Sequence, residues 1–181
     1  KNNGGQDIFL SKVNSSGGKV WTELIGTDEY DLAYDIAINN ESIFITGYTK
    51  GNLDGYTNKG SYDTFFSKFN LNGKKEWTNV INTSDSDYTR DIKVDNEGSI
   101  FILGHTRGNL DGKANKGEKD IYISKFNKHG FKQWTIMSGS NEDDYASNLV
   151  IADDGSLYVS GYTKGNLDGR INAGDRDGFI S

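Results

Sequence analysis

Carboxylate and amide side chains recur in this sequence in a pattern that could hold a divalent cation. The pattern Asp-Gly-x-x-Asn-x-Gly-x-x-Asp occurs three times, and its acids and amides are Asp54, Asn58 and Asp63, then Asp111, Asn115 and Asp120, then Asp168, Asn172 and Asp177. Calcium takes about six to eight oxygen ligands of these kinds. The same residue types also brace turns, because Asp and Asn bond to nearby backbone and Gly supplies positive φ. Calcium is thus one interpretation, and turn bracing, which requires no cofactor, is the other.

Two further carboxylates, Asp35 and Asp91, recur at one repeat position, where the third copy has Asn148. Two carboxylates across a channel could act as acid and base in glycan hydrolysis, but their recurrence favours a structural bond to a neighbouring strand. His105 and His129 fall in unrelated positions and do not make a metal pair. Since the sequence also has no Ser-His-Asp set, phosphate-binding glycine loop or nucleophile elbow, we predict that the chain is not an enzyme.

The elements that must position these residues are themselves repeated. The segment Gly47-Tyr48-Thr49-Lys50-Gly51-Asn52-Leu53-Asp54-Gly55 returns almost unchanged at 104–112 and 161–169, in steps of 57 residues. So long a period indicates an array of one supersecondary unit whose copies bury their apolar faces against each other. The repeats span approximately 7–62, 63–119 and 120–176, and 177–181 begins a fourth. The first copy is one residue short, in the hairpin tip at 39–42.

Composition excludes several classes of protein. The 181 residues carry a formal charge of −6, which argues against nucleic acid as a partner because phosphate binding needs a basic surface. There is no cysteine, so disulfides and thiolate metal sites are excluded. No apolar run reaches the roughly 18 residues of a membrane span, and no signal peptide is visible. Absent proline and 23 glycines suit short strands joined by turns.

Each period contains four strand-like runs, which in the middle copy are 63–70, 75–80, 88–94 and 99–106. In the first run Phe65, Ser67 and Phe69 alternate with Thr64, Phe66 and Lys68, whereas the last run is apolar on both faces. Continuous apolar runs are typical of strands buried on both sides. Asn72-Gly73 and Asp154-Gly155 are strong hairpin signals. We therefore predict an all-β fold of four-stranded antiparallel sheets, as in the blades of a β-propeller. A parallel β-helix is the main alternative.

The residues also resemble a known family. Asp63-Thr64-Phe65-Phe66-Ser67-Lys68-Phe69, Trp77, Ser86-Asp87-Tyr88 and the run from Asp95-Asn96-Glu97-Gly98-Ser99 to Gly104-His105-Thr106 are similar to the bacterial SBBP β-propeller repeat. The resemblance covers essentially the whole chain, three times over. His105 replaces the tyrosine of the pattern in the second copy, and residues 39–42 lack its glycine in the first. The resemblance implies an extracellular or surface-exposed bacterial protein and no particular chemistry.

If the sheets follow other propellers of this type, strand 88–94 is innermost, followed by 99–106 and 120–127, with the Trp strand outside. Two kinds of loop, which carry most of the acids, then share one face, and seven lysines lie near the opposite hairpins: Lys12, Lys19, Lys68, Lys74, Lys75, Lys125 and Lys132. We predict a ligand face on the acidic side. Its candidate contacts are Tyr48, Tyr162, Asp31, Asp87 and Asp144.

These features favour a non-catalytic binding, adhesion or scaffold module of a bacterial surface or secreted protein, with a glycan or protein as its ligand. The alternatives are a glycan-active hydrolase or lyase with an axial carboxylate site, and a passive structural spacer. Propellers typically need about 4–8 blades to close, which three copies do not supply. We therefore expect the partners to be other repeats of a longer protein or a second copy of this chain.

Overall fold

Thirteen strands and no helix make up the computed structural model of the protein, which describes residues 4–39 and 41–180. No helix in those ranges could cross a membrane. The strands are β1 (Ile8–Val13), β2 (Lys19–Ile25), β3 (Asp31–Ile38), β4 (Ser42–Thr49), β5 (Asp63–Asn70), β6 (Lys75–Ile81), β7 (Asp87–Val94), β8 (Ile100–Thr106), β9 (Asp120–Phe126), β10 (Lys132–Ser138), β11 (Asp144–Ile151), β12 (Leu157–Thr163) and β13 (Asp177–Ile180).

The strands form four antiparallel sheets, in agreement with the predicted propeller-type blades. We call them the N-terminal sheet (β1-β2), the first full sheet (β3-β4-β5-β6), the second full sheet (β7-β8-β9-β10) and the C-terminal sheet (β11-β12-β13). In both full sheets the order is the predicted one, with the Trp-bearing strand at one edge. All strand pairs within the sheets are antiparallel, so the β-helix alternative is wrong.

The hairpins form where the sequence predicts them, and the turn at Asn72-Gly73 shows how they are built. Gly73 N donates a hydrogen bond to Asn70 O at 3.0 Å, and the backbone N–H of Asn70 donates to Lys74 O. Gly73 has φ +84°, whereas Asn72 is not in the left-handed region. This is a type I turn followed by a left-handed glycine, not the two-residue turn that an Asn-Gly pair often makes. The Asn70 side chain explains the choice, because its Oδ1 accepts bonds from Asn72 N and Lys74 N.

The predicted one-residue deletion lies where the first full sheet turns from β3 to β4. There Asn39 N donates to Ser42 O, whereas in the second full sheet the equivalent bond runs from Asp95 N to Ser99 O. The shorter loop is compensated by the Asn39 side chain, whose Oδ1 accepts bonds from Glu41 N and Ser42 N. The sheet around it is unchanged because hairpin tips carry few packing contacts.

Three apolar cores fill the spaces between the four sheets. Phe65 and Phe69 of β5 face the N-terminal sheet, while Phe66 between them faces the second full sheet. A third core joins the second full sheet to the C-terminal sheet through residues such as Leu103 and Leu149. As predicted, β8 is buried along its whole length. Each full sheet therefore buries both of its faces, and the chain is held together by contacts between sheets.

The long loop that follows the second strand of each full sheet also enters these cores. Leu53 packs between the N-terminal and first full sheets, and Leu110 packs between the two full sheets. The next residue, Asp54 or Asp111, adopts a positive φ of 50° or 51°. Such a conformation is strained for a residue with a side chain. The loop accepts this strain because it buries the leucine and aims the aspartate at the outer strand of its own sheet.

Replacing Leu110 by Ala should destabilise the protein by about 2–4 kcal/mol, because it leaves a cavity between two full sheets. Urea unfolding followed by circular dichroism measures the loss. Leu71→Ala is the control, since Leu71 is 37 % exposed in a hairpin and should change the free energy of unfolding much less. Equal losses in the two variants would contradict the assigned role of the loop leucine.

Candidate functional site

Aromatic side chains form a continuous row across the first full, second full and C-terminal sheets. They lie where the inner strands begin and the second strands end. We call this row the aromatic belt; its members are Tyr34, Tyr48, Tyr62, Tyr88, His105, Tyr145 and Tyr162. Five of the seven rings are partly exposed, Tyr34 is exposed and His105 is buried.

Strand register places four of these rings in two cross-strand pairs. Tyr88 lies opposite His105, with ring centroids 5.4 Å apart, and Tyr145 lies opposite Tyr162, with centroids 4.6 Å apart. His105 also touches Tyr145 at 4.9 Å, which connects the second full sheet to the C-terminal sheet. Aromatic pairs at such distances stabilise each other beyond the area they bury. The belt is therefore a packed layer whose rings hold one another in place.

The first full sheet extends the belt through a loop residue. Tyr62, just before β5, packs edge-on against Tyr48 at 4.9 Å and lies 5.5 Å from Tyr88. Tyr34 of β3 is the last ring at this end of the belt, and its ring centroid lies 5.4 Å from that of Tyr48. In the later repeats the position of Tyr62 is taken by Lys119 and Arg176. At this one loop position the belt thus has an aromatic ring in the first full sheet and cations in the later sheets.

Four cations lie over the rings of the belt. Their distances to the ring centroids are 4.7 Å for Lys50 over Tyr62, 4.8 Å for Arg90 over Tyr34, 4.4 Å for Lys119 over Tyr145 and 5.2 Å for Arg176 over Tyr162. A cation above a ring is attracted by the negative π face. The surface therefore offers a ligand positive charge beside aromatic rings, on a protein whose net charge is negative.

The pKa values of two residues in the belt are shifted by their surroundings. Burial, together with Tyr34 and its other tyrosine neighbours, raises the pKa of Tyr48 to about 12. Burial, followed by Arg90 and Lys119, lowers the pKa of His105 to about 3. His105 is therefore a neutral aromatic ring at physiological pH, and its Nδ1 is buried without a hydrogen-bond partner within the described part of the chain.

The predicted ligand acids lie directly under the belt, but they are buried. Asp31, Asp87 and Asp144 each begin an inner strand and are at most 1 % exposed. Asp31 accepts bonds from the amide and hydroxyl of Thr27, at 2.6 and 2.8 Å. Asp144 accepts the same two bonds from Ser140, at 2.6 and 2.9 Å. These acids brace the loops that lead into the inner strands, and a ligand on the belt would not touch them directly.

The environment of Asp87 raises its pKa. Its carboxylate accepts bonds from Thr83 N and Thr106 Oγ1, each 2.5 Å long. Burial nevertheless outweighs these bonds, and with a smaller contribution from Asp63 it raises the pKa of Asp87 to about 6. A group with a raised native pKa releases its proton more readily on unfolding. The buried carboxylate of Asp87 therefore lowers the free energy of unfolding most at pH values above its native pKa. This destabilisation becomes smaller as the pH falls through that value.

Six of the nine residues of the calcium interpretation hold their own loops in place. Asn58, Asn115 and Asn172 each donate through Nδ2 to the carbonyl nine residues earlier, at 2.9–3.0 Å. Asp63, Asp120 and Asp177 accept bonds from backbone amides four residues earlier, at 2.6–2.9 Å. Within residues 4–39 and 41–180, no group of three or more His, Cys, Asp or Glu side chains could hold a metal ion. Calcium binding stays a prediction, and every one of these bonds is a turn-bracing contact.

Two of the predicted calcium ligands instead form ion pairs. Asp54 binds Lys75 Nζ at 2.5 and 2.6 Å, and Asp111 binds Lys132 Nζ at 2.9 and 2.8 Å. The pKa of Asp54 is lowered because hydrogen bonds from Lys75 and Thr78 outweigh the effect of burial. The expected separation of acids from hairpin lysines is therefore wrong for these pairs. The loop folds back along the sheet, which brings its aspartate to the outer strand.

Asp35 and Asp91 make the structural bonds that their recurrence predicts. Asp35 Oδ2 accepts Ile92 N at 3.0 Å, and Asp91 Oδ2 accepts Leu149 N at 2.7 Å, so each joins its inner strand to the next. Lys93 also contacts both carboxylates. Burial and the Asp35 carboxyl raise the pKa of Asp91. The pKa of Asp35 is lowered, because hydrogen bonds from Asp91 and Ile92 N outweigh its burial.

Sequence reasoning found Tyr48 and Tyr162 but missed most of the belt. Tyr88 and Tyr145 are separated by one 57-residue period, so the repeat itself contained the signal for them. Tyr62 and Tyr34 had no such signal because the equivalent positions carry other residue types in later copies. Only the tertiary structure brings these two rings into the belt: Tyr62 lies in a loop that packs beside Tyr48, and Tyr34 lies at the irregularity of β3 between Ala33 and Asp35.

The variant His105→Tyr carries the tyrosine that Tyr48 and Tyr162 provide at this position in the other repeats. Its free energy of unfolding should depend less on acid pH than that of the wild type. Native His105 stays neutral, whereas unfolded histidine protonates near a pKa of about 6.5. The stability associated with this shift is present above about pH 6.5 and is lost as the pH falls toward 3. Between pH 7 and 4.5 the wild type should lose about 2 kcal/mol relative to the variant. Guanidinium unfolding at both pH values measures this difference.

His129→Asn is the control for that experiment, since His129 lies in an exposed hairpin and Asn72 has the equivalent position. Asp87 titrates in the opposite sense, but it is common to all three proteins and cancels from the differences. An equal pH dependence in His105→Tyr and the wild type would show that His105 protonates without unfolding.

The melting temperature separates the two interpretations of the repeated loops. If the loop residues only brace turns, as their hydrogen bonds indicate, EDTA should leave the thermal midpoint unchanged and millimolar calcium should not raise it. A ligand that binds only the native state must raise the midpoint. A calcium-dependent rise that is lost in Asp120→Asn would establish the metal instead.

Comparisons with known proteins support the repeat architecture. No family model matches the chain. The chain is 24 % identical over 186 residues to the "Regulatory protein FlaEY" of Caulobacter vibrioides, a match that covers 93 % of the chain and 20 % of that protein. It is 24 % identical over 197 residues to the "Uncharacterized WD repeat-containing protein L264" of Acanthamoeba polyphaga mimivirus, with 89 % and 14 % covered. The chain thus spans a fifth or less of the length of these relatives, and it is distantly similar to repeat-containing proteins of the β-propeller kind.

Proposed function

We propose that the chain is a non-catalytic binding module whose contact surface is the aromatic belt. The observation that carries this proposal is the continuity of the belt, because rings and cations from three sheets form one surface. The repeated acids are used inside the fold, which leaves the belt as the surface where exposed chemistry is concentrated. Exposed aromatic and charged side chains arranged on a rigid scaffold are typical of binding surfaces.

A glycan is the ligand class that suits this surface best. Aromatic rings offer flat apolar faces to the C–H side of a sugar ring, and the tyrosine hydroxyls provide polar ends. Lys50, Arg90 and Arg176 would add attraction for acidic sugars, since they lie over the rings with their charge near the surface. A protein ligand remains the other class of partner for the same surface.

We also propose that the module belongs to the bacterial SBBP-type repeat proteins and acts outside the cell or at its surface. The motif from Asp63 to Thr106 and its threefold recurrence support this assignment. Labelling of intact and permeabilised cells with an antibody against the chain tests the location. Signal that requires permeabilisation would contradict it.

The alternative of a glycan-active enzyme rests on Asp35 and Asp91, whose pKa values are moved apart by their environments. Such a split is also found in acid–base pairs. Both carboxylates, however, are already engaged with backbone amides of the neighbouring strand. We therefore favour binding without catalysis. Release of reducing sugars from a polysaccharide that the chain binds would instead favour the enzyme. Failure to bind any ligand tested would favour a passive spacer.

Tyr48→Ala and Tyr162→Ala should each weaken glycan binding by about tenfold, because stacking on one aromatic ring contributes on the order of 1 kcal/mol or more. A glycan array with neutral and uronic-acid-containing polysaccharides identifies the probe, and titration calorimetry with the best hit measures the loss. Acidic glycans should bind more weakly as the salt concentration rises.

Tyr56→Ala is the matched control, since Tyr56 is 38 % exposed and lies outside the belt, where it bonds Asn79 at 3.0 Å. Its removal should leave glycan binding unchanged. Equal losses in the belt and control variants, or no hit on the array, would contradict the proposed surface.

A further inference from the structure

Each inner strand contains an irregularity at the same place. A register shift interrupts the pairing of β3, β7 and β11 with the second strand of the same sheet. The shift leaves one extra residue in each inner strand without a cross-strand partner: Tyr34, Arg90 and Ser147. Such a β-bulge bends its strand and aims the extra side chain differently from its neighbours. We call these three residues the bulge row.

The bulge itself is required by the packing of the sheets. In β7 the residues on either side of it point to opposite faces, whereas regular alternation would place them on the same face. Thr89 Oγ1 accepts a 3.1 Å hydrogen bond from Thr46 Oγ1 of the first full sheet. Asp91 Oδ2 accepts the 2.7 Å bond from Leu149 N of the C-terminal sheet. The extra residue therefore allows β7 to bond to the sheets on both sides.

These contacts come from the flanking residues, while the side chain in the bulge differs between repeats. The residue before the bulge is small or carries a hydroxyl, and the residue after it is Asp or Asn: Ala33 and Asp35, then Thr89 and Asp91, then Ala146 and Asn148. Between them the bulge row changes from tyrosine to arginine to serine. A constant backbone that presents a variable side chain is the arrangement expected of a position that selects a ligand.

Arg90 has the central position of the bulge row. Its strand, β7, lies between β3 and β11, so Arg90 is flanked on both sides. The guanidinium carbon lies 4.8 Å from the ring centroid of Tyr34, which in turn contacts Tyr48. Arg90 is half-buried. A cation held in this way stands directly beside the tyrosines of the aromatic belt.

The charge of Arg90 is not used inside the fold. In the part of the chain that the structure describes, its side chain makes no ion pair and no hydrogen bond. The acids of the inner strands, Asp35 and Asp91, are bound to Lys93 and to backbone amides instead. Arg90 therefore keeps all five N–H donors of its guanidinium for a ligand.

The other cations of the belt are less suited to hold a carboxylate. Lys119 is paired with Asp143. Lys50 is a point charge, whereas a guanidinium presents paired N–H groups that match the two oxygens of a carboxylate. Arg176 lies on an exposed loop, whereas Arg90 is held on a strand. Arg90 thus combines the fork geometry with a fixed position.

We propose that Arg90 binds the carboxylate of a uronic acid and thereby selects acidic polysaccharides. The inference rests on the proposed glycan-binding role of the aromatic belt and narrows its ligand class. The guanidinium donates two parallel hydrogen bonds to the carboxylate oxygens, and the sugar rings stack on neighbouring tyrosines such as Tyr48 and Tyr88. A carboxylate is attached directly to a carbon of the sugar ring, so the sugar that carries it stays close to these tyrosines.

Reduction of the carboxyl groups tests this assignment. The probes are alginate, polygalacturonate and hyaluronan, each compared with the neutral form in which its carboxyl groups are reduced to alcohols. Titration calorimetry on the whole chain should show that at least one acid form binds about tenfold more tightly than its reduced form, because hydrogen bonds between charged groups are the strong ones.

Arg90→Ser should abolish this preference and leave the binding of the reduced form unchanged. The variant should fold normally, since the third repeat has Ser147 in the same bulge, and urea unfolding checks this. Arg90→Lys should restore only part of the preference, because lysine keeps the charge but lacks the fork. Arg170→Ser is the control, since it removes the same charge from an exposed turn outside the belt and should leave the preference intact.

Tyr48→Ala separates this inference from the function on which it rests. It should weaken the acid and reduced forms alike, whereas Arg90→Ser should weaken only the acid form. Equal affinities of the wild type for the two forms, or an undiminished preference in Arg90→Ser, would overturn the role of Arg90 and leave the belt in place. Binding of dextran sulfate or polyglutamate without binding of the uronic acid polymers would overturn the choice of ligand, and failure to bind any polysaccharide would overturn both proposals.

Discussion

Burial on both faces of each full sheet is the constraint on which this protein depends. Phe65 and Phe66 are neighbours in sequence, yet they enter two different cores because successive strand residues point to opposite faces. A single repeat would leave one of these rings in water. Stacking is therefore a requirement of folding, and stability is distributed over the cores between sheets as in other repeat arrays.

The most repeated residues serve this stacking. In the segment from Gly47 to Gly55, the first glycine has no room for a side chain, since a Cβ would lie 1.8 Å from Leu32 O. Leu53 enters the core between two sheets, and Asp54 fastens the loop to the outer strand. The recurrent acids on the inner strands likewise join one sheet to the next. Repetition in this chain therefore marks architecture.

Differences between repeats mark the places where the chain can be specific. The belt position occupied by Tyr48 and Tyr162 holds His105 in the middle copy, and the loop position of Tyr62 holds Lys119 and then Arg176. These exchanges make the belt differ in composition from one sheet to the next. A ligand that spans the sheets would meet different chemistry on each, which identical repeats would not provide. The buried, neutral His105 keeps the aromatic layer continuous between Tyr88 and Tyr145.

The sequence by itself determined the repeat and the strands, because hydrophobic alternation and turn residues act over a few neighbouring positions. The order of the strands was predicted only by analogy with other propellers. The sequence also located the deletion at 39–42 and two of the belt tyrosines, Tyr48 and Tyr162. Only the tertiary structure decided where the acids go: Asp87 is buried under the belt, and Asp54 reaches Lys75 across a folded-back loop. Tyr62 joined the belt for the same reason. Loop paths depend on which sheet stands beside them, and that packing has no local signature in the chain.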